Sequence, residues 1–273
     1  MKKVLTLFLA LILLGGLTAC NNAPVNTGSD SKGDGSVPGS VAQDVQNDSN
    51  KESDDTKYAT QNIKQMMDIV RSTLDMTSYE VTTKKDDGSR ITCQRKGSTQ
   101  SPDLSITVDG YKLSLPVKYT DLISAGWEDT RNLADKNLDD KSITSVEFKT
   151  TAGKSIVLSF VNQSGSTQQI KNLQAAKLEL KNTSNDSAVT VNAPSFMLFN
   201  SVDNNSSLED ILKANDKPSS ISISDDNEEK TIATCNLNYR QGDDSIEIVY
   251  YYSKNAIAEI TMEAGISGAI VTY

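Results

Sequence analysis

Beyond Tyr79, apolar and polar residues alternate through most of the chain, and this period of two is the strongest constraint on the fold. A period of two sends successive side chains to opposite faces of a strand, so such a chain buries one face of each strand and must build sheets. The sharpest instance is Leu104, Ile106 and Val108, then Asp109-Gly110, then Tyr111, Leu113 and Leu115. Asp-Gly between alternating runs specifies a two-residue hairpin turn, because both central residues need φ > 0. Pro116 then removes a backbone donor and ends the pairing. Tyr79, Val81 and Thr83 form a second hairpin with Ile91 and Cys93 across a polar turn at 85–89. Val146 and Phe148 pair in the same way with Ile156, Leu158 and Phe160 across 151–153. Leu178/Leu180 and Val189/Val191 suggest two further strands. Four more follow at Ile221/Ile223, 232–239, 246–252 and 256–262. In the last two, Ile246, Ile248, Tyr250 and Tyr252 share one face, as do Ala256, Ala258, Ile260 and Met262.

Helical spacing is confined to short stretches. Ile63, Met66, Met67, Val70 and Leu74 make one apolar stripe and predict a helix over 57–75. Thr120 is placed to N-cap a short helix that Gly126 ends, and Ser206 to Glu209 has capping-box spacing ahead of Leu208, Ile211 and Leu212. The expected class is α+β: antiparallel sheets with short helices packed on one face. Asp121-Leu122-Ile123-Ser124-Ala125-Gly126 echoes Asp210-Ile211-Leu212-Lys213-Ala214-Asn215, an offset of 210 − 121 = 89 residues. The echo reads either as a duplication, giving two related α-plus-meander units, or as two short helices obeying the same capping rules.

Composition limits the chemistry. The chain has 27 Lys+Arg, 36 Asp+Glu, no histidine and three cysteines, for a net charge of −9. Without histidine there is no Ser-His-Asp triad, no Cys-His pair and no His-ligated zinc. The acidic balance argues against nucleic acid as a partner. Asp225, Asn227 and Glu229 alternate as calcium ligands do, but Lys230 stands where an EF-hand needs Gly and Asn236 where it needs Glu, so a solvated turn is the expectation. No catalytic residue, metal site or cofactor is expected. Cys93 and Cys235 lie on alternating strands and are candidates for a disulfide; the alternative is two free buried thiols behaving as small hydrophobes. Lys84, Lys85, Arg90, Arg95 and Lys96 outweigh Asp86 and Asp87 around the first hairpin. Such a cluster either contacts an anionic polymer or lipid, or is a solvated edge protected by charge.

The N-terminus carries an address. Lys2 and Lys3 precede an apolar run from Val4 to Leu14, broken by Thr6, which is shorter than the roughly 20 residues a membrane span needs and suits a signal peptide. Leu17-Thr18-Ala19-Cys20 resembles the lipobox of bacterial lipoproteins. That resemblance implies lipidation of Cys20, cleavage before it, and anchoring at the extracytoplasmic face of the cell membrane. The chain from Cys20 onward has a charge of 25 − 36 = −11. Residues 21–56 hold no aromatic, Leu, Ile or Met and are expected to be a disordered tether spanning about 30–36 Å. The expected organisation is a signal peptide at 1–19, a lipid-anchored linker at 20–56, a helix and hairpin at 57–100, a first α+β unit at 101–192 and a second at 193–273.

Ser207-Leu208-Glu209-Asp210-Ile211-Leu212-Lys213-Ala214, then Asp216-Lys217-Pro218, then the meander to Met262, resembles the repeat of the β-lactamase inhibitor protein and of the SmpA/OmlA outer-membrane assembly lipoproteins. The family's Gly before x-Pro is Asp216 here. Residues 105–262 also resemble, in pattern, uncharacterised lipoproteins of Gram-positive bacteria. The resemblance implies a non-catalytic module that holds another protein through a sheet face or loops. The leading expectation is therefore an envelope-anchored binding module whose partner is a protein, a peptide or a wall component. A solute-binding lipoprotein of a transporter and a carboxylate-dependent envelope hydrolase are the alternatives. Tyr250, Tyr251 and Tyr252 are consecutive, so Tyr251 should project outward with Val249 while Tyr250 and Tyr252 turn inward. Tyr251 is either an interaction anchor or a surface strand residue favoured for its β propensity.

Overall fold

The computed structural model describes residues 54–83, 90–182, 193–225, 233–265 and 270–271, all within a unit spanning Asn50–Tyr273. Cys20, the tether at 21–56 up to residue 53, the turn at 84–89, the Val189/Val191 strand, and Asn227 and Glu229 lie outside the described residues. Helix α1 spans Asp54–Thr73. Strands β1 (Tyr79–Thr83) and β2 (Arg90–Arg95) form the first hairpin, and β3 (Ser105–Val108) and β4 (Tyr111–Ser114) the second. Then come α2 (Tyr119–Ser124), β5 (Glu128–Asp129), β6 (Ser142–Lys149), β7 (Ser155–Val161) and β8 (Gln174–Lys181). The rest of the chain gives β9 (Phe196–Leu198), β10 (Val202–Asp203), α3 (Leu208–Ala214), β11 (Ser220–Ser224), β12 (Thr234–Gln241), β13 (Asp244–Tyr251) and β14 (Ala256–Glu263).

The class is a largely antiparallel sheet structure with few helices. The main sheet is twelve-stranded among the described residues, running β1-β2-β11-β12-β13-β14-β8-β7-β6, with β5 and Ile270–Val271 also paired to β6 and Val117–Lys118 to β8. A four-stranded sheet runs β10-β9-β3-β4. The segments 57–100, 101–192 and 193–273 therefore interleave: β2 pairs with β11, β8 with β14, and β3 with β9.

The pairing has an approximate two-fold symmetry. In the two larger sheets each half contributes a hairpin, a helix and four strands, β3, β4, α2, β5 to β8, and β9, β10, α3, β11 to β14; the first half adds Val117–Lys118 and a separate pair of two-residue strands, Asn137–Leu138 and Gln168–Gln169. At the β8–β14 seam, Glu179 faces Thr261, flanked by Leu178 facing Met262 and Leu180 facing Ile260. In the small sheet, Thr107 faces Met197. The register slips at Ala176 where β8 meets β7 and between Val249 and Tyr250, opposite Ala258, where β13 meets β14. Ala176 and Ala258 are each the third residue of their strand. Both hairpin turns use the left-handed region, at Asp109 (φ 46°) and Gly110 (82°), and at Phe199 (52°) and Asn200 (62°). Helices α2 and α3, which carry the sequence echo, occupy matching places in the two halves.

The buried face follows from the register. Ile221, Leu237, Ile248, Ile260 and Leu180 stand in one row across β11, β12, β13, β14 and β8, each 0% exposed. Helix α1 buries Ile63, Met66, Met67 and Val70, with the Met67 sulfur 4.0 Å from the Cys93 thiol of β2. In the other half, Tyr119, Phe148 and Phe160 pack with ring centroids 5.5 to 6.1 Å apart. The Tyr119 hydroxyl donates to Asp129 at 3.0 Å, and Arg131 and Leu133 give Asp129 their backbone N–H groups, so the buried carboxylate is fully engaged. Truncating such core side chains to Ala typically costs about 2–5 kcal/mol.

Several expectations are corrected. The capping box is Ser207–Asp210, one residue on from Ser206–Glu209. The Ser206 hydroxyl instead accepts from the Asp203 N–H at 2.9 Å. Thr120 lies inside α2, whose N-cap is Lys118 with no side-chain bond, while Gly126 does adopt the left-handed conformation (φ 83°). Strand β13 ends at Tyr251. Tyr252 opens a 3₁₀ turn, is half-buried, and its hydroxyl donates to Gln65 of α1 at 3.2 Å. The slip at Ala258 brings Ile257 opposite Tyr250 as a core residue.

Candidate functional site

Alternation assigns the second face of β12, β13, β14 and β8 to Asn236 and Asn238, Glu247, Val249 and Tyr251, Glu259, Thr261 and Glu263, and Lys177, Glu179 and Lys181. All of these are half-buried except the exposed Lys181. Val249 stands between Asn236 and Glu259, and Tyr251 between Thr234 and Ala256. The structure thus places the two predicted contact residues side by side on the face opposite Ile248 and Tyr250.

The electrostatics of this face are specific. The Lys254 ammonium lies 5.5 Å from the centroid of the Tyr251 ring, a cation–π contact. Burial raises the Tyr251 pKa and the Glu259 carboxylate adds to the rise, so the phenol stays neutral. Lys177 bridges Glu179 at 2.8 Å and Glu263 at 3.4 Å. Burial alone would lower the Lys177 pKa, but these two carboxylates outweigh it and hold it above the ordinary value. Glu247 is pushed up by burial first and by Glu259 and Glu263 next, with Lys177 opposing. The side-chain oxygen of Asn236 is buried with no hydrogen-bond partner, an arrangement that costs about 1–3 kcal/mol. An aromatic ring, a valine and a plane of amide and carboxylate acceptors can bind; none of these groups is an activated nucleophile.

Cys93 and Cys235 do not pair. Both are free and buried. Cys93 faces Ile221 and Cys235 faces Ile223, so the whole of β11 runs between them. Two strand spacings separate β2 from β12 by about 9.5 Å, beyond the reach of a disulfide. Burial raises both thiol pKa values, leaving them inert. Asp225 is buried at the end of β11.

A cavity of about 450 Å³ beside α3 is walled in part by Asp203 and Asp210. Their carboxylates already accept from Asn205 N–H at 2.9 Å and Ser207 N–H at 3.0 Å, so they serve the local turns.

Sequence reasoning missed Asn236, Glu247, Glu259 and Lys177. Glu247 was within reach, since it precedes Val249 by two residues on one strand. The others depend on register between strands, which local alternation does not contain.

Comparison with family models, with curated proteins and with solved structures finds no match.

Proposed function

We infer that this chain is an envelope-anchored lipoprotein, lipidated at Cys20, that acts as a non-catalytic binding module at the extracytoplasmic face of the cell membrane. In this reading the tether, which ends at residue 53 rather than 56 because α1 begins at Asp54, carries the folded part away from the membrane, and the short helices lie on the inner face of the long sheet. The outer face around Tyr251 and Val249 is the contact surface, and the partner is a protein, a peptide or a wall component.

The observation that carries the reading is the half-buried Tyr251 and Val249 on one face with Glu247. Glu247 is raised by burial and by the like charges of Glu259 and Glu263. A docked surface bringing N–H or cationic groups relieves the like-charge strain at Glu247, while a tyrosine ring supplies contact area at low entropic cost. The test is capture of crosslinked partners from intact cells. Tyr251→Ala should lower capture at unchanged melting temperature; equal capture overturns the choice of face.

A further inference from the structure

The long sheet ends at β1, and three independent features of that end point the same way. The first is the direction of the free backbone groups. Lys96 donates its N–H to the Ser78 carbonyl at 2.9 Å, which makes Ser78 and Lys96 a hydrogen-bonded pair. Bonded and non-bonded pairs alternate along an antiparallel ladder. Glu80/Gln94 and Thr82/Thr92 are then the bonded pairs of β1 and β2, and Tyr79, Val81 and Thr83 aim their backbone groups away from β2. The opposite edge of β2 keeps the same parity, with the Arg95 N–H donated to Ser219 of the next strand at 2.9 Å. The Tyr79 N–H is taken by Met76 in the preceding 3₁₀ turn. The open edge therefore presents the Tyr79 carbonyl, the N–H and carbonyl of Val81, and the N–H of Thr83. Among the described residues no strand lies beyond β1.

The second feature is an unfinished apolar row. Val81 faces Cys93, which faces Ile221, and the row continues through Leu237, Ile248 and Ile260 to Leu180. Every residue from Cys93 to Leu180 is 0% exposed, whereas Val81 is 43% exposed. Sheet edges are guarded by shortness, charged side chains, Pro, a bulge or an inward-pointing charge. Strand β1 is five residues long and carries one charge, Glu80; it has no Pro, no bulge and no inward-pointing charge, and its central core-facing residue is Val81.

The third is charge. Residues 79–83 and 90–96 carry Arg90, Arg95 and Lys96 against Glu80 alone, a balance of 3 − 1 = +2 in a chain of net charge −9. The rest of the chain is −9 − 2 = −11.

We propose that β1 is a docking strand, which receives an extended acidic segment of a partner protein by strand addition, with an apolar residue of that segment set beside Val81. The backbone edge supplies the affinity, Val81 the register, and the local cations the preference for acidic sequence. The surface is separate from the Tyr251 face, because β2, β11 and β12 lie between β1 and β13.

The experiment is residue-resolved amide exchange on the full-length chain, with two probes: acetyl-Asp-Val-Glu-Val-Glu-Val-Asp-amide and the same peptide with Lys at every acidic position. The acidic peptide should slow exchange at Val81 and Thr83 at least tenfold. Glu80 and Thr82, already bonded to β2, should change little, and the lysine peptide should have no effect. Val81→Pro removes an N–H that no strand of the sheet uses, so the fold should survive and the protection vanish. If that variant melts early, Val81→Lys keeps the backbone and places a charge at the end of the apolar row; it should weaken peptide binding at least tenfold. No protection by the acidic peptide, or equal protection by both peptides, overturns the proposal. So does protection that rises with protein concentration alone, which would make a second copy the occupant, and so does protection by anionic phospholipid vesicles without any by the peptide.

Discussion

The carboxylate of Asp109 accepts hydrogen bonds from both the backbone N–H and the hydroxyl of Ser195, at 2.8 and 2.9 Å, and the Asp109 N–H returns a bond to the Ser195 carbonyl at 2.8 Å. Its other oxygen accepts from the Thr150 hydroxyl. A residue suited to a positive-φ turn thus also ties the β3–β4 turn to the start of β9 and to the end of β6. Asp109→Ala should lose these bonds and strain the turn, costing about 3 kcal/mol. Asp109→Asn keeps an acceptor and tolerates the left-handed backbone, so it should cost about 1 kcal/mol. Denaturant unfolding of the two variants measures the difference; equal losses would show that the carboxylate itself matters, and neither the retained acceptor nor the left-handed tolerance of Asn.

The thiols give a second prediction. With β11 between Cys93 and Cys235, dithiothreitol should leave the melting temperature unchanged. Neither thiol should react with iodoacetamide at pH 8 until the protein unfolds, since burial holds both pKa values up. A reductant-dependent drop in melting temperature would reveal a bridge and a different strand order.

Glu247 gives a pH dependence with a definite sign. Its folded pKa is raised above the ordinary value of 4.5 by burial, Glu259 and Glu263. A raised carboxylate favours the fold when protonated, and that contribution is lost as pH rises through the folded pKa. Glu247→Gln should therefore melt higher than the parent at pH 7, and the gap should close as pH falls below about 4.5. A variant that melts lower at pH 7 would mean that Glu247 has a stabilising cationic partner.

How much of this was readable beforehand differs from feature to feature. The Asp109-Gly110 turn, the inward Ile246 and Ile248, and the outward Val249 and Tyr251 follow from period two and turn chemistry, which are local. The capping box slipped because Ser206/Glu209 and Ser207/Asp210 have the same spacing; only the backbone path decides between them. Ile257 and Tyr252 were misassigned for another local reason: a one-residue slip at Ala258 and a 3₁₀ turn each interrupt the alternation without marking the sequence. The separation of Cys93 from Cys235 rests on the pairing of β2 with β11, more than a hundred residues apart in the chain, and the neighbours of Tyr251 rest on the register of two successive hairpins, which includes the slip at Ala258.

The proposed lipid anchor rests on four residues, Leu17 to Cys20, behind the signal-like run at Lys2 to Leu14. Cys20→Ala should abolish incorporation of a fatty-acid probe and leave precursor or released protein, and undiminished labelling would refute the anchor. Two acyl chains at about 0.8 kcal/mol per buried CH2 hold a protein on a membrane stably, so loss of the site should also be visible as a shift from the membrane to the soluble fraction.

The central claim is that the face bearing Tyr251 and Val249 is where this protein meets its partner. The most direct measurement places a photo-crosslinking phenylalanine at position 251, at 249 and, as a control, at exposed Lys217, in living cells. The account predicts a discrete adduct of one recurrent mass from positions 251 and 249 and none from 217. No adduct from the first two, or the same adduct from all three, would contradict it.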